Sequence, residues 1–255
     1  MDRIPTPEEL DAHYGVYAYG REVAVSPETQ ASYNVLLDEF EAYRKTGRIL
    51  DVGCGRGWFL DEARKRGWEV HGTEFSTTAV ELCRAKGIAM QQGVLDPAGY
   101  PAEGFDVITS FEVLEHINDP HDEMARIVPL LRRGGLFYCT TPNFDSVMRY
   151  YLKAEYNIIG YPEHLSYYTK RTLTRMVEQH GLELRRFMST GLSLTRLRTS
   201  KRPEGGQQVG ADDADERLRR EIGRKWYLAV AKRAVNTLLT ATNTGLTLKG
   251  WFVKP

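Results

Sequence analysis

Cysteine is scarce in this sequence: three residues in 255, at positions 54, 83 and 139. Thiols so few and so widely spaced exclude a disulfide framework and a zinc knuckle, and they fit a reducing compartment. An excess of one charge is also missing. Lys plus Arg number 34 and Asp plus Glu number 34, so no global field exists to hold a polyanion, and no nucleic-acid partner is expected. No run of about 18 apolar residues occurs, which excludes a membrane-crossing helix. The N-terminal MDRIPTPEEL is acidic and proline-punctuated, unlike a secretory signal, and the expected location is the cytoplasm. No internal repeat is visible. What is present is ordinary globular composition, 42% hydrophobic and 27% charged, in a chain long enough to bury a core without staples.

The order of patterns sets the fold class. A helix is predicted from Pro27 to Tyr43. Residues 48–143 then alternate short apolar runs (RILDVG, WEVHGTEF, FDVITSFEVL, LFYCTTP) with helical ones (FLDEARKRG, TTAVELCRAKG, MARIVPLLRRGG). That alternation is the mark of a parallel sheet with crossover helices, and strands apolar throughout are expected where both faces are covered. Residues 144–169 read as no regular unit. A helix (Arg171 to His180) and a strand (Leu182 to Met188) follow. Residues 200–216 have the composition of a solvated linker, Arg217 to Thr242 of a basic amphipathic helix, and TLKGWFVKP of a closing strand. The expected division is a helical cap (1–47), a core (48–194), a linker and helical insertion (195–245) and the closing strand (246–255).

The segment Ile49-Leu50-Asp51-Val52-Gly53-Cys54-Gly55-Arg56-Gly57-Trp58 carries the chemistry. A strand ends in glycines and opens directly into a helix, so backbone can approach a ligand and the helix N-terminus can meet a carboxylate. Glu74 closes the second strand 21 residues after Gly53, the spacing at which an acid takes a ribose diol in nucleoside-binding βαβ units. The spacing G-x-G-x-G is not the dinucleotide fingerprint G-x-G-x-x-G, and Asp51 would repel a pyrophosphate. A ribose ligand with an ammonium group and no phosphates fits better, as in S-adenosylmethionine. A nicotinamide-dependent oxidoreductase is the disfavoured alternative.

With DVGCGRGWFL, HGTEF, FDVITSFEVLEHINDP, RRGGLFYCTTPN and EHLSYYTKRTLTRMVEQHGLELRRF, the chain resembles the class I S-adenosylmethionine-dependent methyltransferases. It stands near the ubiquinone-biosynthesis O-methyltransferases and the bacterial saccharide and secondary-metabolite methyltransferases. The likeness runs from about Arg48 to Arg186. It implies a Rossmann-like, doubly wound α/β sheet of seven strands, the last antiparallel, with helical lid insertions and S-adenosyl-L-methionine as cofactor. It also implies roles. Asp51, Gly53, Gly55 and Gly57 line the methionine end, Glu74 takes the ribose, and Phe75, Val94 and Leu95 take the adenine. The family pattern has an acid where Val94 stands, and Asp96 is the expected substitute. Phe111 contacts the methionyl part. The implied acceptor is a small molecule or saccharide intermediate methylated at a hydroxyl; an N- or C-directed enzyme is the alternative.

An O-directed reaction calls for a base, and His116 or His164, both just past strand ends, has a side chain that titrates near neutral pH. Hydrogen-bonded loop ordering is the blander role for each. Glu112, Glu115 and His116 form the alternative cation set that the resemblance implies, against a first expectation of no metal. Tyr14, Tyr151, Tyr161 and Tyr167 are candidates to line the acceptor site, or plain packing residues. His71, His121 and His180 are expected to be structural, without convergent partners. The basic helix at 217–242 is expected to dock on the core or a second subunit, with peripheral membrane contact as the lesser reading.

Overall fold

Apolar strand runs and amphipathic helices alternate in the structure as they do in the sequence. The computed structural model describes residues 25–156, 158–160, 164–193 and 226–255. Helix α1 (Pro27–Phe40) starts at Ser26, whose hydroxyl accepts from Thr29 N. There follow β1 (Arg48–Val52), α2 (Trp58–Lys65), β2 (Glu69–Glu74), α3 (Thr77–Ala85), β3 (Ala89–Gln92), β4 (Phe105–Phe111), α4 (Pro120–Leu130) and β5 (Leu131–Pro142). The chain continues through α5 (Val147–Leu152), α6 (Lys170–Glu178), β6 (Glu183–Thr190), α7 (Trp226–Thr242) and β7 (Thr247–Val253).

The seven strands form one sheet in the order β3-β2-β1-β4-β5-β7-β6. All neighbours are parallel except β7, which runs antiparallel between β5 and β6. The order reverses direction at β1 and β4, so a crevice opens beyond their carboxyl ends, where such sheets take ligands.

Helices cover both faces. On one, Leu50, Val52 and Ile108 pack with Met124, Ile127 and Leu130 of α4 and with Leu173, Met176 and Val177 of α6. On the other, Ile49 and Val107 meet Leu37 and Phe40 of α1 and Phe59, Leu60 and Ala63 of α2. Each fully buried Leu, Ile or Phe contributes roughly 1.5–3 kcal/mol against exposure.

Two boundaries differ from the pattern reading. The run MARIVPLLRRGG is not helical throughout: α4 stops at Leu130 and Leu131 already pairs with Phe105 of β4. Pro129 lies inside the helix, Leu131 N still donates to Ile127 O, and the buried Arg132 then turns to Asp106, at 2.5 Å. Residues 144–169 hold more order than their composition suggested, with α5 followed by a 3₁₀ turn (Lys153–Glu155). Residues 1–24 and 194–225, including the linker and the start of the basic helix, lie outside the described residues. No helix among the described residues is long and apolar enough to cross a membrane.

Candidate active site at the carboxyl edge of the sheet

The chain leaves β1 through a left-handed stretch, with Gly53, Gly55 and Gly57 all at positive φ. Bulk forbids a side chain here as well as backbone shape. A Cβ at Gly53 would lie 2.6 Å from Val113 Cγ2, and one at Gly57 would lie 2.7 Å from both Cys83 Sγ and Ile88 Cδ1. Cys54 N donates to Thr73 O and Gly55 N to Glu74 Oε2, at 3.0 and 2.9 Å, so the loop is laced to the end of β2. The other Glu74 oxygen accepts from Phe75 N and Ser76 N, at 2.8 and 3.1 Å. The carboxylate that the 21-residue spacing singled out thus stands against the glycine loop.

Asp51 is 3% exposed. Burial pushes its carboxyl up to about 8, against the lowering effect of a 2.7 Å hydrogen bond from Thr109 Oγ1; nearby Cys83 and Glu74 raise it further. A cation at this point would restore the charged form.

Beyond β2 and β3 the candidate adenine residues split. Phe75 and Val94 present 44% and 46% of their surface to solvent, large for apolar side chains. Leu95 is buried in the α4-side core. The Asp96 side chain accepts from Ala98 N, capping a short turn. Phe111 closes β4 with its ring 4.9 Å from that of Phe59 and 5.5 Å from that of Tyr138.

A second cluster stands beyond β4. Glu112 adopts φ +53, a rare conformation for a non-glycine residue, with its N–H on Thr140 O. Glu115 is 2% exposed and accepts from Thr141 Oγ1 at 2.9 Å. Its backbone carbonyl accepts from Leu165 N and Ser166 N, which ties the 164–166 loop to this turn. That tie brings His116 and His164 together edge to face, ring centroids 4.8 Å apart. His164 Nδ1 is 2.7 Å from Ile158 O and must donate to it, leaving Nε2 as the basic nitrogen. His116 Nε2 lies 3.8 Å from Glu115 Oε1.

Glu115, His116 and His164 offer ligand atoms within 4.8 Å of one another. His164 stands in this cluster where the sequence reading placed Glu112. Two imidazoles and a carboxylate have the donor chemistry of a transition-metal or zinc site.

Tyr151 is largely exposed, and Tyr167 donates to His164 O at 3.1 Å and packs on Phe144. Tyr14 and Tyr161 lie outside the described residues. His121 and His180 are not without partners: His121 Nδ1 and His180 Nε2 are 3.0 Å apart, joining α4 to the end of α6. His71 contacts Glu69 and the rings of Tyr100 and Phe105. A cavity of about 840 Å³ opens beside α6, but neither the glycine loop nor either clustered histidine lines it.

A family profile described as a methyltransferase domain matches residues 28–186. The ubiquinone biosynthesis O-methyltransferase of Aeromonas salmonicida (strain A449) is 31% identical over 153 residues, 54% of this chain and 63% of that protein. The match therefore spans less than two thirds of the length of that relative. Among solved structures, a SAM-dependent methyltransferase from Archaeoglobus fulgidus superposes with a TM-score of 0.58 at 16% identity, covering 89% of this chain and 93% of that one. Phosphoethanolamine N-methyltransferase 2 of Haemonchus contortus, solved with S-adenosyl-L-methionine, gives 0.57 at 19% identity over 98% of this chain and 58% of that one. At such identities these two likenesses speak to the fold.

Proposed function

Because the chain belongs to the class I S-adenosylmethionine-dependent methyltransferase family, we propose that it methylates a hydroxyl of a small molecule or saccharide intermediate. The observation that carries this reading is the meeting of the Gly53–Gly57 loop with the Glu74 carboxylate at the carboxyl edge of the sheet.

The residues present fit the cofactor. Glu74 has lone pairs to accept from a ribose diol, Asp51 a buried carboxyl for an ammonium, and the left-handed glycine loop would bring its backbone amides to a carboxylate tail. Phe75 and Val94 offer uncovered apolar surface for an adenine, with Asp96 beside them. Phe111 would face the methionyl part. When bound, S-adenosylmethionine supplies an electrophilic methyl group on a sulfonium.

The chain's own task is alignment, exclusion of water and removal of a proton. His164, its Nδ1 held by Ile158 O, presents a basic Nε2 to an acceptor hydroxyl, and His116 with Glu115 behind it can share the proton. Tyr167 borders the same loop; it and Tyr151 would shape the acceptor side, and residues 144–169 would form part of the lid. A second reading rests on the three converging ligand atoms: Glu115, His116 and His164 would hold a divalent cation that orients the acceptor oxygen. Activity lost in chelator and regained with the ion would favour it.

The direct test incubates purified protein with methyl-labelled S-adenosylmethionine and a panel of hydroxylated aromatic and saccharide acceptors. Labelled ether products are expected. Label moving only to amines or carbon would overturn the choice of atom.

A further inference from the structure

Two of the three cysteines meet at the glycine loop. Cys54 is part of that loop, half-buried, with Sγ 3.9 Å from Gly55 O and from Met90 Sδ. Cys83 belongs to α3 and is fully buried, and its Sγ lies 3.3 Å from the same Gly55 carbonyl. It also fills the space that a side chain at Gly57 would need. Both thiols thus reach the one Gly55 carbonyl, and the interaction between them holds Cys83 below the ordinary thiol range and Cys54 above it. Lys86, at the end of α3, favours a thiolate on Cys83 and donates to Arg56 O. Asp51 and Glu74 face the pair from β1 and β2 and oppose the charge. Cys139, by contrast, sits in the α4-side core, its thiol pushed up by burial.

We propose that Cys54 and Cys83 are a thiol-oxidation site, closing to a disulfide under hydroperoxide and thereby shutting the glycine loop. Cys54 is the sulfur that solvent reaches. As its sulfur attacks one peroxide oxygen, the O–O bond breaks and the departing hydroxide takes the Cys54 proton, so that with hydrogen peroxide one water leaves. Cys83 then attacks the Cys54 sulfenic acid, the S–O bond breaks, and a second water carries off the remaining proton. Two thiols lose two electrons and the peroxide gains them.

A disulfide requires the sulfurs to approach to about 2.05 Å, well inside hydrogen-bonding distance. Cys83 is fixed on a helix packed against the core, so the loop must move toward α3. That motion pulls on the 2.9 Å link between Gly55 N and Glu74. Loss of cofactor binding on oxidation rests on the reading of this loop as the cofactor site. Formation of the disulfide does not.

The experiment treats the full chain with hydrogen peroxide and follows intact mass, a peptide map and calorimetric binding of S-adenosylmethionine in parallel. The expected result is loss of two hydrogens, a Cys54–Cys83 cross-link with Cys139 still alkylatable, and affinity reduced at least about tenfold until dithiothreitol is added. Cys83→Ala should bind like the reduced parent and ignore peroxide. Cys83→Ser serves if alanine fails to fold. Two alkylatable thiols at 54 and 83 after peroxide, or over-oxidation of Cys54 without cross-linking, would overturn the site. A cross-linked protein that binds as the reduced one does would overturn its effect on the loop. Reduced protein that binds nothing, yet cross-links, would count against the cofactor reading and leave the oxidation site standing.

Discussion

Asp51 holds its proton more tightly in the native chain than in the unfolded one, because its native value of about 8 lies above the ordinary 3.8. Its favourable contribution is therefore full below about pH 4 and declines as pH rises from there to about 8. Asp51→Asn, which cannot ionise, should melt higher than the parent at pH 8.5 by an amount reflecting a few kcal/mol, and equally at pH 4, by thermal denaturation at the two pH values. The same variant should bind S-adenosylmethionine about tenfold or more weakly, having lost the partner for the ammonium. Near neutral pH the parent should release a proton on binding, visible as a buffer-dependent heat in calorimetry. His164→Gln should lower kcat about 10²-fold or more with little change in KM for the cofactor, in steady-state assays with the preferred acceptor. Unchanged turnover would return His164 to a loop-ordering role. Glu74 and the glycines were legible as a site because strand-end spacing ties them together within one βαβ unit. The His116–His164 pair was not. The residues are far apart in the chain, and only the backbone bonds from Leu165 and Ser166 to Glu115 O bring the rings together.

At the scale of elements, the critical join is that of β1 to α2. Gly57 is the left-handed residue at φ +66 from which α2 springs, and its neighbours leave no room for a methyl group. Gly57→Ala should cost about 1–3 kcal/mol of stability, read as a lowered denaturation midpoint, and should weaken cofactor binding more than a surface Gly87→Ala control does. Gly87 also has positive φ but open space around it, so the comparison separates backbone strain from crowding. Periodicity located most helices and strands within a few residues, since their apolar faces are what the core demands. It failed at the end of α4, where Val128-Pro129-Leu130-Leu131 is equally apolar as helix or strand. There tertiary pairing with Phe105 decided the outcome. It also failed for α5, whose six residues are too few to show a period.

Across the whole molecule, alternation of patterns announced a covered parallel sheet, but not the strand order. The antiparallel insertion of β7 between β5 and β6 came from likeness to a family, because closing strands from the far end of a chain leave no local trace of their neighbours. The sheet order places the loop after β1, Glu74 after β2 and the histidine cluster after β4 and β5 along one edge. A ligand gripped by several of these strand ends should stabilise the entire fold. At a hundredfold excess over its dissociation constant, S-adenosylmethionine should add about 2.7 kcal/mol, a rise of roughly 5–11 °C in Tm for a chain of this size. The most direct measurement is calorimetric titration of nucleoside-free protein with S-adenosylmethionine, beside Glu74→Gln. A single saturable site in the parent, weakened at least about tenfold by the substitution, is the expected result. No heat with either this compound or S-adenosylhomocysteine, or an affinity indifferent to Glu74, would contradict it.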